Sequence, residues 1–140
     1  MSTPKKTRQS NAADACPCGS PSYAACCGRF IDGADTPSTA LELMRSRYTA
    51  YTLQNEGYLR QTWYTTTRPA SGLLSENDAI KWLSLDVLNH QENGTDGTVE
   101  FVARYKVRGR AHKLHEISRF VREDGRWFYL DGSFPNPQEK

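Results

Sequence analysis

The pattern of apolar and polar positions changes once along the chain, just after Leu83. Before that point apolar residues recur at the three- and four-residue spacing of amphipathic helices, and after it they alternate with polar residues as in strands. This order predicts an α+β fold, a cone-like domain of about three helices packed on a bent four-stranded antiparallel sheet.

The helical half of the pattern divides into three segments. Thr36 followed by Pro37 is typical of a helix start. The first helix then carries one apolar stripe, formed by Leu41, Met44, Tyr48 and Tyr51. A short second helix is predicted over residues 58–63. A third is predicted to start at Ser75, with Asp78 as a capping-box partner, and to include Ile80 and Leu83.

The second half contains four candidate strands, at residues 85–91, 98–107, 113–122 and 126–131. Glycine-containing turn sequences separate them. If Gly109–Arg110 and Asp124–Gly125 form two-residue turns, Ala103 lies opposite Glu116, and Ser118 lies opposite both Phe101 and Asp131. The register of the sheet, and therefore the face on which each side chain lies, follows from these two turns.

This register gathers aromatic and acidic side chains on one face of the sheet, where we expect a pocket. Its predicted members are Tyr48, Trp63, Phe101, Tyr105, Glu116, Ser118, Tyr129 and Asp131. Two carboxylates in an apolar cavity have raised pKa values and are suited to acid–base chemistry. Alternatively, Glu116 and Asp131 are structural acceptors that pair with Arg45 or Arg47 of the first helix.

All four cysteines lie within twelve positions, at Cys16, Cys18, Cys26 and Cys27. Zinc prefers four soft ligands at the corners of a tetrahedron, so the cluster predicts one structural zinc. Two disulfides are the alternative; bridges within each close pair are strained, but cross-pairings stay open. Catalytic thiol chemistry is a third interpretation, and it is disfavoured because no ligand position is left for a substrate.

The run Cys-Pro-Cys-Gly-Ser from Cys16, followed by Tyr23 and by Cys26-Cys27-Gly28, resembles the SEC-C zinc motif. Residues 43–51, 58–63, 114–120 and 125–132 resemble the uncharacterised bacterial YchJ-like family. The resemblance implies an N-terminal SEC-C knuckle joined to a nuclear-transport-factor-2-like domain. We therefore divide the chain into a tail (1–14), a zinc knuckle (15–30) and an α+β domain (36–134), and expect the knuckle to be separate from the core of that domain.

Length and charge narrow the class of function. A chain of 140 residues suffices for one domain and a small appendage. The net charge of +2 comes from the first 15 residues, so the rest lacks the overall positive field of a nucleic-acid-binding protein. No apolar run approaches the roughly 20 residues of a membrane span, and no signal peptide is recognisable. A cytoplasmic location is therefore expected.

The SEC-C motif of the preprotein translocase ATPase engages partners and performs no chemistry. By that resemblance we expect a non-enzymatic protein whose zinc knuckle docks on a protein or ribonucleoprotein partner, while the cone domain supplies a second surface or a small-ligand pocket. The basic hairpin from Arg104 to Lys113 either orients that contact or is a solvated turn that protects a sheet edge, and binding to free nucleic acid would be weak. The alternative is a small-molecule enzyme, of hydrolase, isomerase or dehydratase type, that uses Glu116 or Asp131. A cavity lined by both carboxylates would favour the enzyme.

Overall fold

A computed structural model describes residues 15–70 and 80–135, and a four-stranded antiparallel sheet is its largest element. The strands, in the spatial order β1-β2-β3-β4, are β1 (Ile80–Asn93), β2 (Asp96–Val107), β3 (Arg110–Glu123) and β4 (Arg126–Ser133). The helices are α1 (Cys27–Ile31), α2 (Ala40–Thr52) and α3 (Glu56–Gln61). The predicted α+β class is confirmed. None of these helices has the length and apolarity that a membrane span requires.

The turn between β2 and β3 sets the register of the sheet. It is formed by Arg108 and Gly109, both at positive φ (52° and 81°), and not by Gly109 and Arg110 as predicted. Consequently Glu116 lies opposite Phe101 instead of Ala103. Because the error is two residues and side chains alternate with a period of two, the predicted faces of β2 and β3 are unchanged.

A bulge in β4 overturns the prediction that Asp131 faces the pocket. Phe120 pairs with Tyr129 as expected, but Leu130 is an extra residue, so Ser118 lies opposite Gly132. One inserted residue reverses the alternation beyond it. Asp131 therefore lies on the outer face, where Arg119 donates to it from Nε at 2.6 Å and from Nη2 at 2.7 Å. This guanidinium holds the pKa of Asp131 below its usual range.

Bulges in β1 explain why its first residues resemble a helix in the sequence. The third helix was predicted to include Ile80 and Leu83, and this is wrong because both lie in β1; residues 75–79 fall outside the described ranges. Pairing with β2 skips Leu83 and Leu88, which remain 46% and 54% exposed. A skipped residue turns a two-residue alternation into a three-residue spacing, which imitates a helical one.

Helix α2 begins three residues later than predicted, with Thr39 as its N-cap. The side-chain oxygen of Thr39 accepts from the backbone N–H of Glu42 at 3.0 Å. Glu42 in turn accepts from the backbone N–H of Ser38 at 2.8 Å. Ala40, the first helical residue, donates its backbone N–H to Glu92 of β1 at 2.8 Å. Thr36 and Pro37 therefore precede the helix, and Thr39 and Glu92 each satisfy one of its unpaired backbone donors.

The knuckle shares the core of the cone domain, so the expectation of a separate core is wrong. Three cysteines belong to the same buried cluster as side chains of α2 and the sheet. Members of the cluster include Cys16, Cys18, Cys27, Leu43, Met44, Tyr48, Val99, Phe101 and Phe120. Since buried apolar contacts cross from knuckle to helix, we expect the two to unfold together.

Replacing the observed cap is expected to weaken the fold, whereas replacing the predicted cap is not. Thr39→Ala removes the acceptor for the Glu42 N–H and should lower the free energy of unfolding by about 1 kcal/mol. Thr36→Ala, a change of the same type at an exposed position, should have an effect below about 0.5 kcal/mol. Urea denaturation measures both, and equal losses would contradict the assigned cap.

Candidate metal centre and binding cavity

The four cysteine sulfurs converge at one point, between the two halves of the knuckle. All four lie within 4.8 Å of one another, with 3.6 Å between Sγ of Cys18 and Cys26 and 3.8 Å between Sγ of Cys26 and Cys27. A tetrahedron with metal–sulfur bonds of about 2.3 Å has edges of about 3.8 Å. All four cysteines are free thiols, and the cluster fits a four-coordinate metal site.

Local backbone turns bring the cysteines together. The backbone N–H of Cys16 donates to Ser20 O at 2.9 Å, and Gly19 donates back to Cys16 O at 2.9 Å, so the first cysteine pair lies in a closed turn. The second pair lies at the start of α1, where the N–H groups of Cys26 and Gly28 both donate to Tyr23 O. The spacing of the motif thus produces two turns that face each other.

The thiols affect one another's protonation because they are close and buried. The pKa of Cys16 is lowered, first of all by hydrogen bonding from Cys18, whereas the pKa of Cys27 is raised by its hydrogen bond to Cys16 and by burial. Metal ligation requires deprotonated sulfur, so binding of a divalent cation would release the protons of these thiols.

Arg45 and Thr49 of α2 attach this centre to the rest of the chain, and Arg29 supports it from within the knuckle. Arg45 of α2 donates from Nη1 to Cys18 O at 3.1 Å, and Arg29 of α1 donates from Nε to Cys26 O at 3.1 Å. Cys16 Sγ lies 3.7 Å from Thr49 Oγ1 of α2. The guanidinium groups place positive charge next to a cluster that carries a net charge of −2 when four thiolates hold a divalent metal.

A cavity of about 250 Å³ lies between α2 and the inner face of the sheet. Its walls are mainly aromatic, with three polar residues among them. The lining consists of Met44, Arg47, Tyr48, Tyr51, Trp82, Phe101, Ala103, Leu114, Glu116, Ser118, Phe120 and Tyr129. An apolar cavity with a few convergent polar groups is the usual form of a small-ligand site.

Glu116 is held against the sheet by two hydroxyl groups. Its Oε2 accepts from Ser118 Oγ at 2.8 Å and from Tyr129 OH at 3.0 Å. Burial and the charge of Glu116 raise the pKa of Tyr129, which keeps this donor protonated. A Cβ at Gly132 would lie 2.1 Å from Glu116 Oε2, so the carboxylate occupies space that only glycine leaves open.

Arg47 of α2 lines the same cavity and is 5% exposed. Its Nη1 donates to Leu59 O at 2.8 Å and to Thr62 Oγ1 at 2.7 Å. The guanidinium carbon lies 4.6 Å from the ring centroid of Tyr129 and 5.0 Å from that of Trp63. Burial lowers the pKa of Arg47, but a guanidinium stays protonated in proteins.

The structure places five of the predicted pocket residues on the wall of the cavity: Tyr48, Phe101, Glu116, Ser118 and Tyr129. Three lie elsewhere. Trp63 packs edge-on behind Tyr129 at 4.9 Å between ring centroids, Tyr105 packs against Trp82 at 5.1 Å, and Asp131 is on the outer face.

Seven wall residues are missing from the predicted pocket: Met44, Arg47, Tyr51, Trp82, Ala103, Leu114 and Phe120. Arg47 and Tyr51 follow Met44 at helical spacing, so the periodicity of α2 already indicates that they face inward. Trp82 follows the inward alternation of β1, which the predicted third helix concealed.

Comparison with known protein families identifies a match over most of the cone. Residues 39–132 match the family model described as "YchJ, middle NTF2-like domain". A UPF0225 protein of Ralstonia nicotianae is 54% identical over 129 residues, which cover 84% of this chain and 90% of that protein. A UPF0225 protein of Chromobacterium violaceum is 49% identical over 133 residues, which cover 91% of this chain and 97% of that protein.

Two solved structures have the same fold, and both are of SEC-C motif containing proteins. The solution structure of the one from Rhodopseudomonas palustris has a TM-score of 0.76 and 33% identity, and the match covers 88% of this chain and all of that one. The crystal structure of the one from Psychrobacter arcticus has a TM-score of 0.70 and 25% identity, and the match covers 90% of this chain and 85% of that one.

A methyl group at position 132 is expected to displace Glu116. Gly132→Ala should lower the free energy of unfolding by about 1–3 kcal/mol, because the new Cβ overlaps the carboxylate. In a Glu116→Ala background the same substitution should cost less than about 1 kcal/mol, since the overlapping atoms are gone. Equal costs in the two backgrounds, measured by denaturation, would show that the glycine serves another purpose.

Proposed function

The chain belongs to the YchJ-like UPF0225 family, and on that basis we propose that it is a non-enzymatic docking protein of the cytoplasm, stabilised by one zinc ion. The resemblance noted in the sequence is thereby confirmed at the level of family. The observation that carries the docking proposal is a group of exposed basic residues around the β2–β3 hairpin. Its partner is an acidic protein surface.

Zinc is the metal that the cysteine cluster favours. Four thiolates are soft ligands, and their sulfurs, all within 4.8 Å of one another, are close enough for tetrahedral coordination, the geometry that zinc adopts in structural sites. With four protein ligands no coordination position is left for water or a substrate, so the metal has a structural role. Four ligating thiols also need a reducing compartment, which supports the cytoplasmic location.

The hairpin surface consists of Lys81, Lys106, Arg108, Arg110 and Lys113, all exposed. Two pairs of like charges lie directly opposite each other across the strands: Lys81 faces Lys106, and Arg104 faces Lys113. Like charges in this relation are destabilising. Asp86 neutralises Arg104, but within residues 15–70 and 80–135 none of the five side chains of the hairpin surface has an ion-pair partner.

An acidic partner would relieve this repulsion. Carboxylates facing the hairpin surface compensate charges that have no ion-pair partner among the described residues, and such complementarity raises the rate of association and fixes its orientation. Extended nucleic acid is a poorer partner, because the chain beyond residue 15 carries equal numbers of acidic and basic residues.

A binding role is also favoured over the enzyme alternative by the position of Asp131. Acid–base chemistry by two carboxylates needs both groups in the cavity. Asp131 is bound to Arg119 on the outer face, so Glu116 is the one carboxylate among the described residues that line the cavity.

Metal analysis tests the zinc proposal. Protein purified under reducing conditions should contain close to one zinc per chain, and Cys26→Ser should lose it, whereas Ala25→Ser, an exposed neighbour, should keep it. Because the knuckle shares the core, Cys26→Ser should also lower the unfolding midpoint of the whole chain. Two intact disulfides and no metal in reducing buffer would contradict the proposal.

Charge reversal tests the docking surface. Arg110 and Arg126 are exposed, and each is the first residue after a hairpin turn. Arg110→Glu should weaken recovery of an acidic partner from cell extract by about tenfold, whereas Arg126→Glu should leave it unchanged. Free RNA and duplex DNA should bind weakly at physiological salt. If RNA or DNA bound tightly and sequence-selectively, and this binding survived Arg110→Glu, the proposed class of partner would be wrong.

A further inference from the structure

Two opposite charges face the cone cavity from opposite walls. Arg47 projects from α2 and is 5% exposed, and Glu116 projects from β3 and is 9% exposed. A buried charge carries a large desolvation cost unless hydrogen bonds or an opposite charge compensate it. The partners of these two groups therefore indicate what the cavity is built to hold.

The two groups do not neutralise each other directly. Both belong to the described part of the chain, and no ion pair joins them there. Arg47 uses Nη1 on Leu59 O and Thr62 Oγ1. The two protein hydroxyls that donate to Glu116 both meet its Oε2. Each charge is therefore fixed in place by neutral groups, with the cavity between them.

This arrangement selects for the charge of a ligand. A molecule with one charge pairs with one wall and brings its charge close to the like charge of the other wall. A molecule with an anionic and a cationic end pairs with both walls and leaves the site neutral. Ion pairs formed in a cavity with little water are stronger than the same pairs at the surface.

The remaining walls define the body of the ligand. Tyr48, Trp82, Phe101 and Phe120 provide an aromatic lining, and Tyr51 and Trp82 are half-buried. A cavity of about 250 Å³ holds about eight water molecules at about 30 Å³ each, the scale of a metabolite with a single small ring. Apolar side-chain surface of such a ligand would pack against these rings.

We propose that the cone cavity binds a small zwitterion of the α-amino-acid type with an apolar side chain, whose carboxylate pairs with Arg47 and whose ammonium group pairs with Glu116. This role is independent of the docking surface, which lies on the outer face and at the β2–β3 hairpin. The ligand binds reversibly and undergoes no reaction in the cavity.

Three compounds that share a phenylethyl group test the proposal on the wild-type protein. Phenylalanine carries both charges, 2-phenylethylamine only the ammonium, and 3-phenylpropionate only the carboxylate. Isothermal titration calorimetry, with leucine and methionine as smaller amino acids, should show binding of at least one amino acid. Phenylalanine, where it binds, should exceed both singly charged analogues by at least about tenfold. Absence of binding by all three amino acids at millimolar concentration, or an analogue that binds as tightly as phenylalanine, would overturn the proposal.

A matched pair of variants assigns the ammonium end. Glu116→Gln should reduce amino-acid affinity at least about tenfold while leaving 3-phenylpropionate binding intact or improved. Glu100→Gln, the same change on β2 with the side chain on the outer face, should alter neither. Unchanged amino-acid affinity in Glu116→Gln would overturn the assignment of the ammonium end. If that variant does not fold, the comparison of phenylalanine with its two analogues on the wild-type protein still tests the proposal.

Discussion

The buried guanidinium of Arg47 joins three parts of the fold, and the shape of the cone depends on it. From α2 it donates to Leu59 O at the end of α3 and to the side chain of Thr62. Thr62 O in turn accepts from the backbone N–H of Tyr129 in β4 at 2.8 Å. The edge of β4 is thus covered by the chain that follows α3, as sheet edges generally must be. Tyr129 then donates to Glu116, so one continuous network runs from the helix to the centre of the sheet.

Helix α2 connects the metal centre to the cavity because it is buried on two sides. Arg45 and Thr49 contact the knuckle, while Arg47, Tyr48 and Tyr51 line the cavity. Along this helix Ser46, Thr49 and Ala50 are fully buried, so packing on both sides fixes the position of the helix. Because close-packed interiors transmit strain, we expect a change in the knuckle to affect the cavity wall.

The sequence predicts best those features that local chemistry determines. Four cysteines within twelve positions are typical of a metal site. The alternation of apolar and polar residues after Leu83 identifies the strands and most of the residues that face inward. Residues whose position depends on tertiary packing were placed less well. Leu83, Leu88 and Leu130 are skipped by the strand pairing, and nothing in their identity distinguishes a bulged leucine from a paired one. The predicted apolar stripe of the first helix omits Arg47 because an arginine is rarely buried, although its helical spacing is that of a core residue.

The bulge at Leu130 determines which kind of cavity the sheet can form. Without it, Asp131 would lie opposite Ser118 and face Glu116, and two like charges in an apolar cavity disfavour each other's ionisation. With it, Gly132 takes the inward position and leaves the space that the Glu116 carboxylate occupies. Asp131 gains Arg119 on the solvent side, where an ion pair needs little desolvation. A single inserted residue thus replaces a two-carboxylate site by one carboxylate opposite one guanidinium, an arrangement suited to holding a dipolar ligand.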